Sequence, residues 1–181
     1  MRPLQRTTIL TATALLVGGL TGCSILGDDA SAPGGGGGGA KASVDGAGKT
    51  IVKGTFPSPI AAGATVDIAI MGLKVRAKLA TLTVQLTPHV PPGGEQNPNP
   101  YGLNGGNGLG TSLLDPVNLK RYVVVKDSGS TELQSNDIFT HIANNQPASL
   151  TYTFAAPPEN VKVLDVQYGA WPTFRNVPVE R

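Results

Sequence analysis

The chain has 181 residues, of which 14% are charged, and it contains 24 glycines, 15 prolines and one cysteine. The charged fraction is well below the ~25% of typical soluble proteins, and a single cysteine excludes a disulfide within the chain. The net charge of +2 does not favour a nucleic-acid partner. Arg2 and Arg6 lie in a segment typical of a secretory signal, and the remaining 12 basic side chains balance 12 acidic ones.

A secretory signal is predicted at the N-terminus. Arg2 and Arg6 precede an apolar run over residues 9–20, which is the order of a basic n-region and an apolar h-region. The run falls well short of the ~20 apolar residues that a permanent membrane-spanning helix needs. We therefore expect this segment to be removed from the mature protein.

The apolar run ends in the tetrad Leu20-Thr21-Gly22-Cys23, which contains the only cysteine of the chain. The tetrad resembles the bacterial lipobox. In lipoproteins with that motif, a diacylglyceryl group is attached to the cysteine thiol and a peptidase then cuts before the cysteine. The resemblance implies that residues 1–22 are a lipoprotein signal peptide, that Gly22 is the last residue removed, and that Cys23 is the lipidated first residue. The alternative is an ordinary secreted protein with a free thiol.

Two acyl chains anchor a protein stably to a bilayer, whereas one does so only marginally. The lipobox resemblance therefore implies an extracytoplasmic protein of the cell membrane, with the membrane as its partner through Cys23. Residues 23–49 are predicted to be a flexible, disordered tether. They include six consecutive glycines from Gly34 to Gly39 and too little apolar surface to offset the entropy of ordering.

Residues 50–181 are predicted to form one domain built from strands. Val66, Ile68 and Ile70 alternate with small or polar residues, which is typical of a strand with one buried face. The phase of the alternation changes at Gly72 and again near Ala80. Each change predicts a bulge or a turn, because a one-residue slip moves every side chain to the opposite face.

Further strands are predicted in the C-terminal half. Turn residues and prolines separate apolar or alternating runs around residues 120–126, 131–135, 150–154, 161–168 and 174–179. No helix is predicted after the signal peptide. About seven to eight short strands predict an all-β fold, a β-sandwich.

Four stretches carry a second resemblance: Leu114-Asp115-Pro116-Val117-Asn118 leading to Lys120-Arg121-Tyr122, Val125-Lys126-Asp127-Ser128, Phe154-Ala155-Ala156-Pro157-Pro158 with Val161, and Pro172-Thr173-Phe174-Arg175-Asn176-Val177-Pro178-Val179. On these residues, the region 112–179 resembles the β-sandwich domain of actinobacterial surface lipoproteins. The resemblance implies an immunoglobulin-like fold and assigns no ligand. Some of those proteins carry a cysteine pair after the Asp-Ser turn, where this chain has Thr131-Glu132-Leu133-Gln134.

Two sets of residues are candidate binding groups. Lys74, Arg76 and Lys78 are predicted to form a basic stripe on one strand face, which either contacts anionic lipid or cell-wall polymer or is simply solvated and guards an edge. Trp171, beside Pro172 and Phe174, is either a core anchor or an exposed platform on which a sugar stacks.

Residues 88–110 are rich in proline, asparagine and glycine and are predicted to be a long irregular loop. We expect a disordered or variable loop, with a binding loop as the alternative. His89 and Glu95 stand alone in this stretch, so no metal site is predicted, since such a site needs three or four donors.

Catalytic chemistry is not indicated, and no cofactor is predicted. His89 and His141 are the only histidines, and no serine lies in a nucleophile-elbow pattern. The sequence therefore favours a non-catalytic module of the bacterial envelope that binds a cell-wall polymer or an envelope protein. The alternative is an enzyme or solute-binding protein whose site is assembled from loops.

Overall fold

A computed structural model describes residues 49–181. The predictions for the signal peptide, for Gly22 and Cys23 and for the tether before residue 49 lie outside these residues. The described chain contains eight strands and one short helix: β1 (Val52–Pro57), β2 (Thr65–Arg76), β3 (Leu79–His89), α1 (Pro100–Leu103), β4 (Ser112–Asp115), β5 (Lys120–Val123), β6 (Ala148–Ala155), β7 (Val163–Gln167) and β8 (Phe174–Pro178).

The strands form two antiparallel sheets of four strands each. The strand order is β1-β2-β3-β6 in the first sheet and β5-β4-β7-β8 in the second. Ser43–Arg181 is one compact unit, which therefore contains all eight strands. The prediction of an immunoglobulin-like β-sandwich with seven to eight strands is confirmed.

A single apolar core lies between the sheets. The alternation of β2, β3 and β6 directs one face of the first sheet inward, and β4, β7 and β8 supply the opposing side chains. The following core side chains are completely buried: Val66, Ile68, Ile70, Leu73, Leu82, Val84, Leu86, Leu113, Tyr152, Phe154, Leu164, Val166 and Val177. Burial of this apolar surface is the main favourable contribution to folding, because the chain forms no internal disulfide.

The two phase changes that the sequence contains have separate structural causes. The register between β2 and β3 shifts between Ile70 and Gly72, so the first change is a bulge inside a continuous strand. The second change is a two-residue hairpin turn at Ala77 and Lys78 between β2 and β3. Both the predicted bulge or turn at Gly72 and the one near Ala80 are confirmed.

The sheets are also joined by backbone hydrogen bonds at two corners. At one corner the chain after β8 runs parallel to the end of β2, where Val75 N donates to Glu180 O at 2.7 Å and Glu180 N donates to Leu73 O at 2.9 Å. At the other corner Val125 N donates to Thr153 O at 2.9 Å. These contacts cover parts of the edges of β2 and β6 that would otherwise expose unpaired backbone groups.

The stretch predicted as a disordered or variable loop is ordered and packed. β3 extends to His89, and α1 follows with Asn99 as its N-cap, whose side chain accepts a hydrogen bond from Gly102 N at 2.7 Å. Leu103 and Leu109 are buried in the core. These two apolar side chains therefore anchor the segment to the core. The prediction that no helix follows the signal peptide was wrong, because α1 forms one helical turn. The predicted strand at 131–135 makes only isolated bridges.

Ala77 occupies the first position of the hairpin turn with a φ of +52°. This region disfavours a residue with a Cβ, whereas glycine adopts it freely. We expect Ala77→Gly to raise the free energy of unfolding of Ser43–Arg181 by about 0.5–1 kcal/mol, measured by urea denaturation. Lys78→Gly is the matched control, because Lys78 does not have a positive φ. A gain that is equal in both variants would contradict this explanation.

Candidate functional site

The structure places the three residues of the predicted basic stripe at the hairpin between β2 and β3, but not on one strand. Lys74 and Arg76 lie on β2, whereas Lys78 lies in the hairpin turn, so the three do not share one strand face. All three side chains are exposed. Lys74 Nζ lies 3.5 Å from Glu180 Oε2, a surface ion pair that contributes little to stability.

Trp171 is buried and does not present its ring to solvent, so the sugar-platform hypothesis is corrected in favour of a core anchor. Its side chain stacks on Tyr168, with ring centroids 5.9 Å apart and an interplanar angle of 17°. Trp171 Nε1 donates to Pro57 O at 3.1 Å. The backbone passes very close to the indole at Gly169, which has a φ of +58° and where a Cβ would come within 2.9 Å of the ring.

His89 lies beside a carboxylate that is distant in the sequence. One ring nitrogen lies 2.7 Å from Asn145 Oδ1 and the other 3.1 Å from Asp67 Oδ2. The pKa of His89 is raised, mainly by the hydrogen bond with Asn145 and next by the one with Asp67. Because both nitrogens are engaged, neither is available to take a proton from a nucleophile, and the group ties β3 to the loop before β6. The second histidine, His141, is exposed and hydrogen-bonds through Nδ1 to Asn97 O at 3.0 Å.

A polar concave surface lies elsewhere, between α1 and residues 131–138. It is a cleft of about 410 Å³ lined by Tyr101, Gly108, Thr131, Glu132, Gln134, Asn136, Asp137 and Ile138. Sequence reasoning missed this cleft, because its two sides are about thirty residues apart in the chain and neither carries a motif.

Hydrogen bonds fix the two sides of the cleft against each other. Asn136 Oδ1 accepts from the backbone N of Ile138 at 3.0 Å and of Phe139 at 2.9 Å, which holds a tight turn. Tyr101 N donates to Asp137 O at 3.0 Å, and Asn99 Nδ2 donates to Ile138 O at 2.7 Å. The cleft is therefore largely formed before any ligand binds.

Asp137 connects the cleft to the core. Tyr152 donates its hydroxyl hydrogen to Asp137 Oδ1 at 3.1 Å, and the hydroxyl oxygens of Tyr152 and Tyr168 are 2.9 Å apart. Since Tyr152 has only one hydroxyl hydrogen, Tyr168 donates to Tyr152. Burial raises the pKa of Asp137 to about 6, and the hydrogen bond from Tyr152 opposes this rise only in part. Burial also raises the pKa of both tyrosines, which therefore stay neutral.

Glu132 and Gln134 form a ridge that this cleft shares with two neighbouring clefts. One of these, of about 220 Å³, is also lined by Thr111, Arg121 and Lys126. Lys126 Nζ lies 3.7 Å from Glu132 Oε1. Thr111 is buried, and its hydroxyl has no hydrogen-bond partner among residues 49–181. Glu132 and Gln134 thus offer hydrogen-bond donors and acceptors to each of the three clefts that they line.

The chemistry of these clefts is that of polar recognition. Carboxylates, amides and hydroxyls surround one half-exposed aromatic ring, Tyr101, which is 37% exposed. Residues 49–181 contain no group of three or more His, Cys, Asp or Glu side chains that could hold a metal ion. In the same residues, no helix is long and apolar enough to cross a membrane.

The raised pKa of Asp137 predicts a pH-dependent stability. The folded protein holds this proton up to about pH 6, whereas the unfolded chain loses it near 3.8. The contribution of Asp137 to stability is therefore fully present below pH 3.8 and is lost as the pH rises to about 6, whereas Asp67 and Asp115, whose pKa values are lowered, contribute in the opposite direction. We expect Asp137→Asn to remove this loss and to raise the free energy of unfolding at pH 7 by about 1 kcal/mol, a value reduced for solvent screening.

Urea denaturation of Ser43–Arg181 between pH 4 and pH 7 measures this effect. Glu159→Gln is the control, because Glu159 is an exposed acid outside the cleft. A wild-type profile that Asp137→Asn leaves unchanged would contradict the assignment.

Comparison with family models, with curated proteins and with solved structures finds no match to this chain. The fold and the cleft are therefore established from the chain's own residues and contacts. The function is argued in the same way, from the chemistry of the cleft and of the N-terminal tetrad.

Proposed function

We propose that the chain is a lipid-anchored protein of the extracytoplasmic face of a bacterial cell membrane. Its sandwich domain is a non-catalytic module that binds a hydroxyl-rich polymer of the cell wall. The anchoring half of the proposal rests on Leu20-Thr21-Gly22-Cys23 and on the basic and apolar residues before it. A lipid on Cys23 requires no membrane-spanning helix elsewhere in the chain.

The polar cleft between α1 and residues 131–138 is the observation that carries the binding half. Its walls offer carboxylate and amide groups from Glu132, Gln134, Asn136 and Asp137. A glycan presents hydroxyl groups that both donate and accept hydrogen bonds, so amide side chains match it in both roles. Tyr101 adds a half-exposed ring against which the apolar face of a sugar can pack.

The shape of the cleft also favours a polymer. The ridge of Glu132 and Gln134 lines three adjoining clefts, of about 410, 600 and 220 Å³. A small solute enclosed by protein needs a single deep cavity, whereas these clefts are open and continue along the surface. An extended chain can lie across all three and contact both sides of the ridge.

A second candidate function is hydrolysis of such a polymer. Asp137 with a pKa of about 6 is the type of carboxyl group that acts as a general acid, and Glu132 lies in the same cleft. Two carboxyl groups flank the bond that is cut in most glycoside hydrolases. Release of soluble sugar by the wild-type protein, abolished in Asp137→Asn, would establish the enzyme over the binding module.

The anchor is tested on the full chain, expressed in a bacterium that processes lipoproteins. We expect the wild type to take up labelled fatty acid and to fractionate with membranes, and Cys23→Ala to do neither, because only a thiol forms the thioether. Ser24→Ala is the neighbouring control and should behave as the wild type. A Cys23→Ala protein that still fractionates with membranes and resists release would refute the anchor.

Binding is tested by co-sedimentation of Ser43–Arg181 with purified wall sacculi. We expect Tyr101→Ala and Gln134→Ala each to weaken binding by about five- to tenfold, since Tyr101→Ala removes a packing contact with the polymer and Gln134→Ala a hydrogen bond to it. Thr55→Ala, on the exposed face of β1, should have no effect. Equal binding by all four proteins would exclude the cleft as the site.

A further inference from the structure

One end of the sandwich, which we call the hairpin end, is built from four segments. They are the β2–β3 hairpin, the β4–β5 turn, residues 156–162 and residues 179–181. Ala156 N donates to Lys78 O at 2.9 Å, and the Arg181 guanidinium donates to Pro157 O at 3.2 Å and to Pro158 O at 2.8 Å. The β4–β5 turn lies at the same end. The C-terminal end of β4 is beside the start of β7, where the chain arrives from residues 156–162.

The hairpin end is strongly basic. Its exposed side chains include six cations and two acids, namely Lys74, Arg76, Lys78, Lys120, Lys162 and Arg181 against Glu159 and Glu180. Lys74, Arg76 and Arg181 line a single cleft of about 220 Å³ together with Glu180. Elsewhere in residues 49–181, acidic side chains outnumber basic ones. The excess of positive charge is therefore concentrated at one end of a nearly neutral domain.

Two large apolar side chains project from the same end. Val117 is 86% exposed and Leu119 is 90% exposed, and Lys120 follows directly. The turn that carries them is held from below by Asp115, whose buried carboxylate accepts from Val117 N at 3.1 Å, from Asn118 N at 2.9 Å and from Asn118 Nδ2 at 2.7 Å. The turn thus presents its apolar tip on a fixed support.

The turn holds Leu119 in a backbone conformation that large side chains rarely adopt. Leu119 has a φ of +52°, a region that a branched side chain adopts only when the surroundings impose it. Two large apolar side chains are at the same time kept in water. Such a combination is characteristic of surfaces that interact with a partner.

The chain enters the domain from the side of the hairpin end. Val52 at the start of β1 pairs with Ile70, and Pro57 at its end pairs with Thr65, so β1 runs away from the β2–β3 hairpin. The described residues before β1, 49–51, therefore lie toward the hairpin end. The distance along the chain from Cys23 to Lys49 is about 26 residues, which reach at most ~90 Å.

We propose that the hairpin end docks on a bilayer that contains anionic lipids. The six cations face the lipid phosphates, while Val117 and Leu119 enter the boundary between the headgroups and the acyl chains. This proposal rests on the lipid anchor of the proposed function, which keeps the domain near such a surface. An anionic bilayer matches both features, because basic residues around an apolar tip are what attraction to anionic lipids combined with apolar insertion requires.

Docking in this direction places the side of the polar cleft that contains Tyr101 and Asp137 away from the membrane. Tyr101 and Asp137 belong to the loops at the other end, where Ser58 Oγ donates to Leu103 O at 2.7 Å and Asn145 N donates to Pro88 O at 2.8 Å. This side of the cleft then faces the space beyond the membrane, where a wall polymer lies. The hairpin end and the Tyr101 side of the cleft thus serve two different partners.

The test uses Ser43–Arg181, which lacks Cys23, so that its result is independent of the anchor. It is mixed with vesicles of phosphatidylcholine alone or with about one third phosphatidylglycerol, at low and at physiological salt, and sedimented. We expect binding to the anionic vesicles only, weakened by salt. Arg76→Gln, Lys78→Gln and Lys120→Gln should each lower the affinity about fivefold.

A second pair of variants tests the apolar tip. Val117→Ser combined with Leu119→Asn removes the apolar side chains, and asparagine tolerates the positive φ at position 119. We expect a loss of at least tenfold in affinity for the anionic vesicles. The control is Ile138→Ser combined with Phe139→Ser, which removes exposed apolar side chains at the other end, 51% and 78% exposed, and should leave binding unchanged.

Three results would overturn the proposal. They are equal binding to neutral and anionic vesicles, an equal loss in the tip and control pairs, and binding through the same cations to wall sacculi but not to vesicles. Each of these leaves the fractionation test of Cys23 unaffected. A failed anchor can therefore be told apart from a failed docking surface.

Discussion

The aromatic chain of Tyr152, Tyr168 and Trp171 is the contact on which both the core and the cleft depend. Tyr152 lies on β6 in the first sheet, and its ring meets that of Tyr168, which follows β7 of the second sheet, at 5.5 Å and 81°. Trp171 extends the chain to the end of β1 through Pro57. In a protein with no internal disulfide, these rings join the two sheets by packing and hydrogen bonds alone.

The same rings set the electrostatics of the cleft. The two hydroxyl groups form a relay in which Tyr168 donates to Tyr152 and Tyr152 donates to Asp137. Buried polar groups are usually hydrogen-bonded, and the carboxylate that accepts from Tyr152 is that of Asp137, which lines the cleft. The polar requirement of the core therefore keeps Asp137 partly buried, and this burial raises its pKa. Core packing and the chemistry of the candidate site cannot be varied separately.

The alternation of side chains along β2 and β3 made the core of the first sheet predictable. Val66, Ile68 and Ile70 are buried as expected, and the changes of phase at Gly72 and Ala80 marked the bulge and the hairpin. The residues around Trp171 in the sequence did not decide its role, because an aromatic residue between turn residues can point into the core or into solvent. The stretch 88–110 was misjudged, because proline and glycine suggest disorder whereas Leu103 and Leu109 anchor it.

The sequence by itself determined what depends on local order along the chain: the strand periodicity, the turns, the all-β class and the prediction of a lipid anchor at Cys23. Only the tertiary structure decided which distant residues meet. Tyr101 and Asp137 share a cleft, His89 pairs with Asp67, and Lys78 and Lys120 lie at one end of the sandwich. The physical reason is that a β-sandwich is held by contacts between residues far apart in the chain, and their register follows from packing of the whole core.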